Sequence, residues 1–341
     1  MNFTNNIMKF KKALILGIFG QDGYLMSKFL KKKNYKVIGI FRKLHKNKSV
    51  DHIDVLCKAD IKSFNKVKKI IKKYKPDEIY NFAGVSDLKT ARTKILDNEK
   101  SINHFVLNLL IFLKNYKKTK FFNSLSSELF KNEKNTLKKI KLIKDFNPEN
   151  PYAISKLSSF YYSKYFRKNF NLNVYNGFLF NHESKYRSNK FIIPKIIKSL
   201  VLFKYKKKKK ILKLNNILSE KDFGSAEEYM KIIWKVLQQK KIFDFILGSE
   251  KKLSLLNIIK FIARYLKINI NIVNKKNQIN IYCDKYLIIS GNKNKTGATL
   301  IANNYLLRKN YLFLNQIKFN QVLISSIEHY KKNLLIEKNS K

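Results

Sequence analysis

Three glycines in the run Gly17-Ile18-Phe19-Gly20-Gln21-Asp22-Gly23 stand between a short apolar stretch, Ala13-Leu14-Ile15-Leu16, and a segment with Leu25, Phe29 and Leu30 at helical spacing. The chain has only ten glycines in 341 residues, so three of them at GxxGxxG spacing ask for backbone without Cβ atoms at a strand-to-helix turn. Such a turn lets a pyrophosphate approach amide N–H groups and the positive end of a helix dipole. Further apolar runs follow at 36–40, 78–82 and 120–123, with helical periodicity at 67–74 and 106–116 between them. Strands alternating with helices predict an α/β fold built on a doubly wound parallel Rossmann sheet. Residues 11–180 read as the dinucleotide-binding domain, with a later return segment near 215–250, and 181–335 mainly as a smaller C-terminal substrate-binding lobe. Past Asn181 the regularity falls, as expected where binding loops take over. No internal repeat and no Gly/Ser-rich or Pro-rich linker divides the chain.

The formal net charge of +49 would ordinarily point to a polyanion. Here lysine is spread along nearly the whole chain together with Asn, Ile, Phe and Tyr, a compositional drift that predicts no nucleic-acid partner. The densest run, Lys204-Tyr205-Lys206-Lys207-Lys208-Lys209-Lys210, reads as a solvated loop between apolar segments. Cys57 and Cys283 are too far apart for a metal-type pair and too few for a disulfide framework. No metal site is expected. No segment offers the roughly 18 uncharged apolar residues of a membrane span, and residues 1–12 carry no sustained apolar run. A soluble cytoplasmic protein with no membrane partner is the expectation.

Four polar residues beyond the glycine loop supply chemistry. From 151 to 170 a helical pattern sets Ala153, Leu157, Tyr161 and Tyr165 on one face and places Tyr152 four residues before Lys156. A cation beside the phenol favours phenolate, which makes tyrosine a usable base. The spacing recurs at Tyr24/Lys28, Tyr116/Lys120, Tyr205/Lys209 and Tyr305/Lys309. What singles out Tyr152 is its place after the fifth strand, with Ser126 and Glu128 at that strand's end. At the end of the second strand stand Arg42 and Lys43. The chain holds only six arginines, so Arg42 favours a 2′-phosphate, and hence NADP over NAD. Asp60 and Ile61 follow the third strand, and Asp60 has two readings, an acceptor for the adenine amino group or a loop cap.

These residues resemble the extended short-chain dehydrogenase/reductase superfamily and, within it, the GDP-mannose 4,6-dehydratase family. The resemblance covers about 11–248. It is carried by the glycine loop, by Pro76-Asp77-Glu78-Ile79-Tyr80-Asn81-Phe82-Ala83, by Ser127-Glu128-Leu129-Phe130, by Pro151-Tyr152-Ala153-Ile154-Ser155-Lys156-Leu157 and by Asn176-Gly177-Phe178-Leu179-Phe180-Asn181-His182-Glu183-Ser184. The resemblance implies that Tyr152 takes the proton of the sugar 4-hydroxyl as hydride leaves C4. Ser126 would bond the same oxygen, Lys156 would hold the nicotinamide ribose, and Glu128 would remove the C5 proton and assist loss of the C6 hydroxyl. It further implies that Gly17, Gly20, Gln21, Asp22, Gly23, Arg42, Asp60, Ile61, Phe82, Ala83, Gly84, Val85, Ser86, His182 and Arg187 lie along the cofactor. Asn181, Lys195 and Lys221 would face the nucleotide sugar, and the protein would be a homo-oligomer. Taken alone, His182 reads as a structural histidine.

The chain departs from the family pattern in several places. Ser126 stands where Thr is usual, Lys221 where Arg is expected, Asp97 where a cofactor-side Tyr is expected, and Val85 and Asp87 replace polar partners. No Arg-Pro segment is found near 286–292. Two other readings remain open. A nucleotide-sugar 4-epimerase or 4-reductase, or a dehydratase of another hexose nucleotide, would keep Tyr152 and Lys156, and the first two would give Glu128 no task. A basic binding protein on a worn dehydrogenase fold would bind polyanions and no NADP.

Overall fold

The computed structural model describes residues 10–44, 49–84, 92–130, 137–140, 146–293, 299–310, 312 and 318–339. The strands in chain order are β1 (Lys12–Leu16), β2 (Lys36–Phe41), β3 (Val55–Lys58), β4 (Glu78–Asn81), β5 (Lys120–Ser126), β6 (Leu137–Ile140), β7 (Val174–Leu179) and β8 (Asn181–Glu183). They continue as β9 (Leu212–Leu214), β10 (Glu220–Ser225), β11 (Phe245–Leu247), β12 (Lys252–Ser254), β13 (Ile270–Asn274), β14 (Gln278–Cys283), β15 (Tyr286–Asn292) and β16 (Thr299–Ala302).

A seven-stranded sheet runs in the order β11-β7-β5-β4-β1-β2-β3. The pairs β1–β2, β2–β3, β1–β4 and β4–β5 are parallel. Ala13, Leu14, Ile15 and Leu16 are wholly buried, as a strand covered on both faces by helices must be. Chain order reverses at β1, which has β2 on one side and β4 on the other. A crevice at the carboxyl ends of strands flanking such a reversal is where ligands bind in open α/β sheets.

The chain divides into two compact units. The first comprises 1–125, 148–177 and 233–244; the second comprises 126–147, 178–232 and 245–341. In the first, helix Phe64–Tyr74 buries Val67 and Ile71, and helix Phe105–Leu113 buries six of its nine residues. Both pack into one cluster with Leu14, Leu16, Ile38 and Ile40, where each large apolar side chain contributes roughly 1.5–3 kcal/mol.

Helix Pro151–Phe170 begins where Asn150 Oδ1 accepts from the Ala153 N–H at 2.9 Å, with Pro151 in the first turn, and ends at Asn171 in left-handed backbone (φ 55°). Its buried face differs from the expected one. Ala153, Ser155, Lys156, Ser159, Phe160, Ser163 and Phe166 are buried, while Tyr161 and Tyr165 are more than half exposed. The serines let the helix come close to polar residues of the sheet. Asn123 Nδ2 on β5 lies 3.4 Å from both Ser159 Oγ and Ser163 Oγ, and 3.3 Å from Asn176 Oδ1 on β7. Arg167 closes the far end with a two-pronged bond to Asp244 at 2.8 and 2.7 Å.

The second unit is more regular than its sequence suggests. It holds an antiparallel run β13-β14-β15 extended by β9, a three-stranded sheet β12-β10-β8, and the pair β16-β6. Its core gathers Ile193, Ile197, Leu200, Phe223, Ile258, Ile262 and Ile289. The lysine-rich run is a helix end as well as a loop: helix Ile192–Lys206 includes its first three residues and stops at Lys207.

Turns in this chain are made by residues that hide them. Asn34, Lys75, Asn171, Lys207, Glu250, Lys267 and Asp284 all take positive φ. Lys75 (φ 46°) and Lys207 (φ 51°) close helices at positions where glycine costs nothing and an L side chain costs about 1 kcal/mol. Lys75→Gly and Lys207→Gly are therefore expected to stabilise their units by about 0.5–1 kcal/mol each. Urea unfolding followed by the fluorescence of the sole tryptophan, Trp234, checks the first unit and amide hydrogen exchange of the second-unit helices checks the other, and a loss of stability in either variant would contradict the turn assignment.

Candidate active site

The glycine loop has the shape a dinucleotide needs. Gly17 takes φ +80°, and a Cβ there would sit 3.1 Å from the backbone of Ala83, just past β4. A Cβ on Gly23 would meet the Gly17 carbonyl oxygen at 2.4 Å. The N–H groups of Gly17 and Ile18 donate to Ile40 O at 3.1 and 3.2 Å, which ties the loop to the end of β2. Gly20 caps helix Gln21–Lys32 without any side-chain acceptor. A glycine cap puts no side chain in front of the helix N-terminus, and the cradle fits a pyrophosphate. Gln21 is buried and its Nε2 donates to Asp22 Oδ1 at 3.1 Å.

The first unit also holds several of the other cofactor candidates. Arg42 and Lys43 are exposed directly after β2. Asp60 Oδ1 accepts from Lys62 N at 3.0 Å, so that oxygen caps its loop, and Ile61 packs against the adjoining core. Phe82 and Ala83 are half-buried and Gly84 takes φ +135°. Ser86, with Val85 and Asp87, lies outside the described residues. Asp97 pairs with Lys62 at 2.8 Å on the surface.

Tyr152 and Lys156 occupy the first two turns of helix Pro151–Phe170. Lys156 Nζ lies 5.9 Å from the Tyr152 ring centroid and donates to Ser124 O on β5 at 2.6 Å. Lys156 is 4% exposed. Burial disfavours its charged form and brings its pKa from 10.5 down to about 8. Two residues further along β5, in the second unit, Ser126 Oγ accepts from Glu128 N at 3.2 Å and caps the short 3₁₀ turn Ser127–Leu129. Ser126 and Glu128 are both half-buried.

The remaining candidates belong to the second unit. Strand β8 carries Asn181, His182 and Glu183 in parallel register with Phe223, Gly224 and Ser225 of β10. His182 is buried; its Nδ1 donates to Phe180 O at 2.6 Å and its ring lies tilted against that of Tyr229, centroids 4.9 Å apart. Arg187 lays its guanidinium 3.6 Å over the Phe191 ring, with its Nε 3.6 Å from Glu183 Oε1, beyond direct hydrogen-bond reach. Lys195 and Lys221 are exposed. Beside Lys221, the buried Asp222 carboxylate accepts from the N–H groups of Ser249, Glu250 and Ala302 at 2.6, 3.0 and 3.0 Å. Those bonds counter a desolvation that still pushes its pKa up. Residues 286–292, where an Arg-Pro segment is missing, form β15.

Sequence reasoning missed Ser124, which holds Lys156 through its carbonyl and so carries no side-chain signature. It also passed over the Asn150-Pro151 cap, whose signal was readable.

A glycine cradle at the strand reversal and a tyrosine-lysine helix seated on β5 define a dinucleotide-dependent enzyme of the short-chain dehydrogenase/reductase class. The family model described as GDP-mannose 4,6 dehydratase matches residues 14–322, and the chain belongs to that family. A GDP-mannose 4,6-dehydratase of Vibrio cholerae serotype O1 is 31% identical over 287 residues, covering 79% of this chain and 75% of the relative. The human GDP-mannose 4,6 dehydratase is 32% identical over 254 residues, covering 70% and 67%. Among solved structures, a dTDP-glucose 4,6-dehydratase of Bacillus anthracis in complex with NAD superposes with TM-score 0.76 at 18% identity, covering 95% of this chain and 97% of the other. A UDP-glucose 4-epimerase of Thermotoga maritima superposes with TM-score 0.78 at 14% identity, covering 95% and 99%. These two share the fold. Among the described residues no helix is long and apolar enough to cross a membrane.

The Lys156 shift has a definite sign. Between pH 8 and 10.5 the unfolded chain carries a proton at Lys156 that the folded chain has released, so this group makes stability rise with pH across that window; its penalty is present in full below pH 8. Stability compared between wild type and Lys156→Met should show the variant's relative advantage shrinking by about 3 kcal/mol from pH 8 to 10.5. A constant difference would place the Lys156 ammonium in water.

Proposed function

We propose that the protein converts GDP-mannose to GDP-4-keto-6-deoxy-mannose as a lyase that uses NADP and consumes no net oxidant. The observation that carries this reading is Glu128, set two residues past a hydroxyl-bearing strand end in a chain that also keeps the Tyr152–Lys156 helix. The cofactor is the hydride acceptor and donor. Tyr152 removes the 4-hydroxyl proton, and Lys156, while charged, favours the phenolate and binds the ribose. Ser126 hydrogen-bonds the same sugar oxygen. Glu128 takes the C5 proton, made acidic by the new C4 ketone, and passes a proton to the departing C6 hydroxyl.

We assign cofactor binding to the first unit, through Gly17, Gly20, Gln21, Asp22, Gly23, Arg42, Asp60, Ile61, Phe82, Ala83, Gly84, Ser86 and Lys156. Residues His182 and Arg187 of the second unit are assigned to it as well. Asn181, Lys195 and Lys221 are assigned to the nucleotide sugar. Lys221 meets a diphosphate as a point charge and cannot form the two-pronged bond of an arginine, which favours weaker nucleotide binding than in relatives with Arg there.

Two experiments test the assignments. Glu128→Gln should lower the rate of water loss from GDP-mannose by about 10²–10⁴-fold with NADP affinity unchanged, read by mass spectrometry of the nucleotide sugar. An epimerase or reductase would be indifferent to the change. Arg42→Ala should weaken NADP binding about tenfold or more and leave NAD binding within twofold, by calorimetric titration; equal loss for both would remove Arg42 from the 2′-phosphate.

A further inference from the structure

Within the first unit the helical stretch from Ile95 to Leu113 is not uniform. Ile95–Glu99 is α-helical, Lys100–His104 is a π turn, and Phe105–Leu113 is α-helical again. A π turn squeezes one extra residue into a helix and persists where local contacts stabilise it. Here Glu99 makes contacts in two directions. Its Oε2 accepts from Asn103 Nδ2 at 3.1 Å across the π turn, and its Oε1 accepts from the Ser155 hydroxyl in a short contact.

Ser155 is wholly buried and lies three residues after Tyr152 and one before Lys156. Its Oγ is also 2.9 Å from Pro151 O. The hydroxyl has one proton to give, and a carboxylate outcompetes a helix carbonyl for it. In a chain with 72 lysines and arginines, Glu99 is in no ion pair among the described residues. Its two oxygens are committed to the π turn and to the helix that bears the tyrosine-lysine pair.

We infer that Glu99 is a positioning residue for Tyr152 and Lys156: by gripping Ser155 it fixes the rotation and height of the first two turns of their helix against the π turn. The asparagine cap orders the start of that helix, but it sets only where the helix begins. Ser155 is where the preceding helical stretch takes hold of it, on the turn that also carries the Lys156 bond to Ser124 O of β5. A shift of about 1 Å at reacting groups can cost on the order of a hundredfold in rate, so the grip reads out in turnover more than in binding.

The kinetic half of the test rests on the dehydratase reading, whereas the exchange half does not. Glu99→Ala, Ser155→Ala, the double variant and Glu99→Gln are compared with wild type, using GDP-mannose turnover, NADP titration and amide hydrogen exchange. Glu99→Ala and Ser155→Ala should each lower kcat about ten- to a hundredfold, with NADP affinity held within about threefold. The double variant should be no worse than either single one, because both remove the same contact. Glu99→Gln should recover most of kcat, since its amide oxygen still accepts from Ser155. Peptides spanning 150–160 should exchange about tenfold faster in Glu99→Ala, with those spanning 192–206 unchanged. Losses that multiply in the double variant, or a Glu99→Ala protein with kcat within twofold and unaltered exchange at 150–160, would overturn the inference. A wild type inert toward GDP-mannose, with faster exchange at 150–160 in Glu99→Ala, would strike the dehydratase reading and uphold the positioning role.

Discussion

Burying an ammonium between a helix and a sheet is costly, and the first unit is built around doing so at Lys156. Desolvation alone brings that pKa to about 8. The carbonyl of Ser124 accepts from the ammonium at 2.6 Å. This arrangement requires helix Pro151–Phe170 to lie close on β5, which in turn requires the small polar face of Ser155, Ser159 and Ser163. The close fit brings Asn123, Asn176 and the Arg167–Asp244 pair into the core, where each polar group must find a partner. Cap, serine face and polar core follow from holding one lysine beside one tyrosine.

What the sequence disclosed and what it hid have physical causes. Strands β1, β2 and β4 and helix Pro151–Phe170 stand out because continuous apolar runs and helical periodicity are local signals. β5 runs three residues beyond its apolar stretch, to Ser126, where serines on either side of Leu125 break the apolar signal. The outer face of the tyrosine helix was misread, since Tyr161 and Tyr165 follow the helical period as well as any core residue does. The second unit was hardest to see. Its strands are three to seven residues long, and several bends lie at Lys207, Glu250, Lys267 and Asp284 in place of glycine. Ser124 acts through its backbone and Glu99 through a contact 56 residues distant in sequence; neither leaves a pattern in the chain.

The departures from the family pattern fall unevenly. The glycine cradle cannot drift, because a Cβ at Gly17 or Gly23 would strike backbone, and Asp222 is fixed by three amide donors. Exposed Lys221 has no such restraint, and there a lysine has replaced the expected arginine.

In the proposed reaction hydride leaves C4 and returns to C6 of the same sugar while Glu128 removes the C5 proton. GDP-mannose carrying deuterium at C4, incubated with the protein and catalytic NADP, tests it most directly by mass spectrometry and NMR of the product. The account predicts a nucleotide sugar lighter by one water, with the deuterium at C6. A sugar of unchanged mass with deuterium still at C4, in the presence of bound NADP, would contradict it.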